Sequence, residues 1–241
     1  LILVNPIYRF YFVRENPILA RVRVRQHVNP LAHKYQTPIT PPDWERVYAN
    51  PAQPLHLDIG CARGKFLLQM APLYPQMNFL GIEIREPLVD EANSYRDRLE
   101  LSNLYFLYCN IANSLAPLLK SLPTGVLQQA TIQFPDPWFK QRHLKRRMVQ
   151  PELVDLLATY MVEGGRLFLQ SDVESVAIEM RSRIQAHPNF QQHSHTWLET
   201  NPFPIPTERE IATLAHNKPV YRALFQKKSD RTTRSPISFI E

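Results

Sequence analysis

Residues 55–85 read LHLDIGCARGKFLLQMAPLYPQMNFLGIEIR. The run opens with an apolar strand over 55–60, turns through small residues from Cys61 to Gly64, and continues as a helix over KFLLQMAPLY. A second apolar strand, NFLGIEIR, follows at 78–85. Strand, helix and strand in succession are the building unit of a parallel sheet covered by helices.

The same alternation continues downstream. A helix is predicted from Pro87 to about Leu101, then a third strand over 104–111 and a short helix from Leu115 to Leu122. A fourth strand, QQATIQFP, precedes the helix MVQPELVDLLATYM, which Gly164-Gly165 stops. A fifth strand over 166–173 leads into the helix ESVAIEMRSRIQAH. Strand-like FQQHSHTWLE, the loop NPFPIP, a helix opened by TEREIATLA and a last strand VYRALFQKK complete the pattern. The expected fold is α/β, a mostly parallel seven-stranded sheet with helices on both faces, spanning 55–228. Residues 35–54 are proline-rich and predict a linker with one short helix around Trp44 to Tyr48; 229–241 predict a tail.

Upstream, residues 1–34 form an extension with a basic arm. Its first twenty residues are aromatic-rich but broken by Asn5, Pro6, Arg9, Arg14, Glu15 and Pro17, a poor signal-peptide core. Arg21, Arg23 and Arg25 alternate, so an extended arm presents all three on one side. No apolar run is long enough to span a bilayer. Twenty-eight Lys+Arg against 22 Asp+Glu give a net charge of +6, compatible with a nucleic-acid partner without demanding one. Cys61 and Cys109 are the only cysteines; two reduced thiols and the cytoplasm are expected, and no zinc spacing is present.

Polar residues interrupt the strands at one recurring place: Asp58, Glu83, Asn110, Asp136 and Asp172 each stand at or just past a strand end. In an open parallel sheet, ligands bind outside the carboxyl ends of the strands. Gly60 and Gly64 let the first turn approach a ligand closely, and a carboxylate at Glu83 suits the hydroxyls of a ribose. NAD and S-adenosylmethionine both carry that ribose. The G-x-G-x-x-G fingerprint is missing, and crowded acids disfavour a pyrophosphate, so the cationic sulfonium fits better.

A second stretch, IQFPDPWFKQRHLKRR at 132–147, joins a strand end to a proline-bracketed acid and a basic run. Prolines 135 and 137 fix their own φ and bias the residues before them to extended geometry, presenting Asp136 in a stiff turn. Lys140, Arg142, His143, Lys145, Arg146 and Arg147 follow as a candidate phosphate grip.

Taken together, RVRQHVNP, DIGCARGKF, GIEIR, FPDPWFKQRHLKRR, SDVESVAIEM and TERE resemble the bacterial tRNA (guanine-N7-)-methyltransferase family. The likeness covers nearly everything after residue 20. It implies a Rossmann-like class I methyltransferase that moves the methyl group of S-adenosylmethionine to N7 of a guanosine in the tRNA variable loop. It also implies that Asp58, Gly60, Glu83, Asn110 and Asp136 line the cofactor site, and that Lys140, Asp172 and the Thr207 to Glu210 segment face the guanosine. Asp136 is the expected catalytic residue, acting electrostatically because guanine N7 has no proton to give up. No metal is called for, and monomer and homodimer stay open. Ala62 departs from the family, where glycine is usual. A non-catalytic RNA-binding protein on the same sheet and an NAD-dependent oxidoreductase are the competing readings. Thr207 with Glu210 also spells a helix capping box, and Trp138 is more readily core than a stacking surface.

Overall fold

The structure, a computed structural model, describes Val24 and residues 28–229. The alternating arginines at 21, 23 and 25 lie outside the described residues, as does the tail beyond 229. Seven strands, β1 (Leu55–Ile59), β2 (Asn78–Glu83), β3 (Leu104–Tyr108), β4 (Leu127–Gln133), β5 (Arg166–Ser171), β6 (Phe190–Gln192) and β7 (Tyr221–Lys227), form one sheet. Its order is β3-β2-β1-β4-β5-β7-β6. β1 to β5 pair in parallel, and β7 inserts antiparallel to both β5 and β6. Strand order reverses between β1 and β4, so the crevice for a ligand opens above those two ends.

The helices are α1 (Trp44–Val47), α2 (Lys65–Met70), α3 (Glu86–Arg98), α4 (Ile111–Ser121), α5 (Pro151–Tyr160), α6 (Glu174–Gln185) and α7 (Glu208–Ala215). Central strands are buried on both faces, as parallel sheets demand. Leu55, Leu57 and Ile59 of β1 point into one apolar cluster with Leu80, Ile82 and Ile132. Phe79, Leu104 and Phe106 point into the other.

Boundaries moved where side chains compete for the backbone. α4 begins at Ile111, well before the expected Leu115, because the Asn110 side chain accepts the Ala112 N–H and caps it; the helix then runs on through Pro117. β6 stops at Gln192, shorter than the strand read over FQQHSHTWLE. The Ser194 hydroxyl accepts the Thr196 N–H and turns the chain there, so His193 and His195 do not share a strand face. The proline-rich segment is less of a linker than its composition implies. Trp44 and Tyr48 stack at 5.9 Å and are buried, Trp44 donating to Ser121 Oγ and Tyr48 to the Phe79 carbonyl.

Candidate active site

The loop after β1 passes through the left-handed region three times, at Gly60 (φ 82°), Ala62 (φ 50°) and Gly64 (φ 68°). A Cβ on Gly64 would fall 2.4 Å from the Phe106 ring, so glycine is required there. Ala62 tolerates its conformation at a cost of about 1 kcal/mol or more, and its N–H donates to Glu83 Oε2 at 3.0 Å. The backbone N–H groups of Ile84 and Arg85 donate to Glu83 Oε1 at 2.9 and 3.0 Å, and Arg85 closes the cage with Nε to Oε1 and Nη2 to Oε2, both at 2.9 Å. The Glu83 carboxylate is thereby fixed in orientation before any ligand arrives. Hydrogen bonds to Glu83 push the Arg85 pKa up, and the charges of Glu83 and Asp136 add to this.

After β4 the chain makes a strained turn. Phe134 (φ 50°) and Trp138 (φ 42°) both adopt left-handed backbone, one on each side of Pro135-Asp136-Pro137. The extended geometry expected before Pro135 is therefore not what Phe134 adopts. Each such residue costs on the order of 1–3 kcal/mol and persists only where its surroundings hold it. Here Arg147 supplies the hold: its Nε donates to the Pro137 carbonyl at 2.9 Å and its guanidinium pairs with Glu179 of α6. Trp138 is half-buried and lines the cavity above the β1–β4 junction, with His143 edge-on at 5.6 Å and the Arg146 guanidinium over the ring at 5.0 Å. Of the basic run, Arg147 is thus spent on the fold. Lys140, Arg142 and Lys145 are the exposed cations, on or beside a 3-10 turn over Gln141–Arg146. Nothing in the sequence marks this division, since all six basic residues look alike in composition.

A cavity of about 270 Å³ opens above the β1–β4 junction. Gly60, Glu83, Asn110 and Asp136 all line it, together with Arg85 and Met148. Val28, Pro30 and Leu31 of the basic arm also line it, a contact no sequence pattern announced, and Asn110 Nδ2 donates to the carbonyls of Pro30 and of Tyr35 just beyond the arm at 2.9 and 3.1 Å. Asp58 does not line the cavity. It is buried on the sheet's other face, accepting from Thr131 Oγ1 at 2.6 Å and Gln133 Nε2 at 3.4 Å. Burial raises its pKa to about 6, the two hydrogen bonds lowering it and the Glu83 charge raising it.

The residues expected to face a guanosine sit further along the same edge. Lys140 is exposed at the start of the 3-10 turn. Asp172, just past β5, accepts from Arg209 Nε at 2.9 Å. Thr207 is the N-cap of α7 and accepts the Glu210 N–H at 3.1 Å, so that half of the capping box forms. Glu210 itself is 2% exposed and turns under the helix, held by Arg222 (2.7 Å), Asn201 (2.7 Å) and Gln170 (3.1 Å). Gln170 also donates to Gln133 Oε1 at 2.8 Å. A continuous chain of hydrogen bonds therefore runs from Asp58 through Gln133 and Gln170 to Glu210 and Arg222. Glu83, Asp172 and Glu210 each pair with an arginine, Arg85, Arg209 and Arg222 respectively. Among the described residues no cluster of three or more His, Cys, Asp or Glu side chains could hold a metal ion.

Residues 52–223 match a family model described as a putative methyltransferase. The chain is 64% identical over 209 residues to a tRNA (guanine-N(7)-)-methyltransferase of Trichormus variabilis, covering 86% of this chain and 97% of that protein. It belongs to the tRNA (guanine-N(7)-)-methyltransferase family. Another member, from Microcystis aeruginosa, is 65% identical, covering 86% of this chain and 99% of that one. The 16S rRNA methyltransferase KamB superposes with a TM-score of 0.52 at 15% identity over 77% of this chain and 92% of that one, a likeness in fold. With its sheet order and the switch-point cavity, the chain is a Rossmann-like class I methyltransferase, and the methyl donor of its family is S-adenosylmethionine.

Proposed function

We propose that this protein transfers the methyl group of S-adenosylmethionine to N7 of a guanosine in the tRNA variable loop, acting in the cytoplasm. The observation that carries the reading is the position of Asp136: it lines the cavity that Glu83 also lines, and within the next nine residues the chain exposes Lys140, Arg142 and Lys145. The cavity fits the cofactor's chemistry. The Glu83 carboxylate would accept from a ribose once Arg85 gives way, and the glycine turn at Gly60 allows close approach.

When bound, S-adenosylmethionine supplies an electrophilic methyl group on a sulfonium. Guanine N7 offers an in-plane lone pair and carries no proton, so no general base is needed. The protein's contribution is placement and charge. Positioning two reactants is worth up to roughly 7–11 kcal/mol, and a rigid turn is the means of securing it. Asp136 orients the base and stabilises the positive charge that develops on the purine. Lys140 and the other exposed cations hold phosphates, and Asp172 with the Thr207 to Glu210 segment frames the guanosine.

Labelled S-adenosylmethionine and unmodified tRNA test the proposal. Label recovered as N7-methylguanosine from the variable loop is expected. Tight tRNA binding without transfer would instead favour the non-catalytic RNA-binding reading.

A further inference from the structure

Phe139 is 71% exposed, more than any other large apolar side chain among the described residues. It stands three positions past Asp136 and directly after Trp138. The left-handed backbone at Trp138 separates the two aromatics: Trp138 is half-buried, lining the cavity and contacting His143 and Arg146, and Phe139 is exposed to solvent.

The surroundings specify what covers it. Lys140, Arg142 and Lys145 are exposed, and among the described residues none of the three is in an ion pair, whereas Arg147 of the same run is. His143 registers the local field, its pKa lowered by desolvation and by the charges of Arg146, Arg142 and Lys140. An aromatic face within a cationic rim is the pairing that binds unpaired nucleotides, the cations taking phosphates and the ring taking a base. Asp136 lies half-buried in the cavity, so a guanine must leave its stack to bring N7 there, and its departure exposes the face of a neighbouring base.

We propose that Phe139 stacks on a nucleobase flanking the target guanosine and so holds the target swung out toward Asp136. This role rests on the proposed tRNA activity. Stacking on a π-face is tolerant of base identity, so Phe139 contributes to affinity and to the extruded geometry without reading sequence.

The test compares Phe139→Tyr, Phe139→Trp, Phe139→Leu and Phe139→Ala in the full-length protein. Measured quantities are kcat/KM for unmodified tRNA, cofactor affinity and melting temperature. Tyr and Trp should stay within about twofold of wild type; Leu and Ala should lose about tenfold or more in kcat/KM, with cofactor affinity and melting temperature unmoved. A tRNA made abasic at either neighbour of the target supplies the coupling. Removing the stacked base should cost wild type about tenfold and the Leu variant almost nothing. A Leu variant equal to wild type, or a loss that tracks cofactor affinity, overturns the stack while leaving the activity standing. A wild-type protein that methylates no tRNA overturns both.

Discussion

Arg222 donates its Nη2 to Glu210 Oε1 across 2.7 Å, and the two side chains are only 6% and 2% exposed. A carboxylate so enclosed, with Asn201 and Gln170 on its other oxygen, cannot also be an open acceptor for guanine donors in this arrangement. Glu210 instead fixes the start of α7 to β5 and β7, and through Gln170 and Gln133 to the Asp58 region. The N-terminus of α7 is thus anchored to β5 and β7.

Arg222→Met is expected to destabilise the protein by about 3–5 kcal/mol, because it leaves Glu210 buried without its counter-ion. Urea unfolding measures this. The double variant with Glu210→Gln should recover much of the loss, and a single variant as stable as wild type would show that the pair is not holding the fold.

The basic run divides into two roles. Neutralising Arg142 and Lys145 to Gln should lower the slope of log K against log salt for tRNA by about 0.7–0.9 for each phosphate no longer neutralised, with stability unchanged. Arg147→Gln should do the reverse, releasing the Pro137 carbonyl and Glu179 and lowering the melting temperature, with little change in salt slope. Titrations at several salt concentrations, paired with thermal unfolding, separate these outcomes.

How much of this was legible in the sequence depends on the kind of contact. The strand–helix alternation and strand-end polar residues are periodic features, and Glu83, Asn110 and Asp136 do meet at one cavity. The partners of those residues were not legible. Arg85 lies two residues past Glu83, where nothing in a periodic pattern marks a bidentate clasp, and Arg147 finds Glu179 only after α6 folds back. Asp58 shows the limit of the alternation itself. Its neighbours Leu57 and Ile59 join the apolar cluster on one face of β1, so the carboxylate had to point to the other, away from the cavity.

That burial has a pH signature. The folded pKa of Asp58 is raised to about 6 from its ordinary value of 3.8. Its contribution to stability is therefore fully present below pH ~4 and is lost as pH rises through about 6, a difference on the order of 3 kcal/mol. Asp58→Asn, which cannot ionise, should match wild type near pH 4 and become the more stable protein by pH 7. Chemical unfolding across that range checks it; parallel curves would place the Asp58 pKa near the ordinary carboxylate value.

Asp136 is the residue on which the proposed transfer turns, acting there by charge and position. The decisive measurement is single-turnover methyl transfer to tRNA at saturating cofactor and tRNA, comparing Asp136→Asn with wild type. A loss of about 100-fold or more is expected, with the fold intact by circular dichroism; a rate within about twofold of wild type would contradict that role.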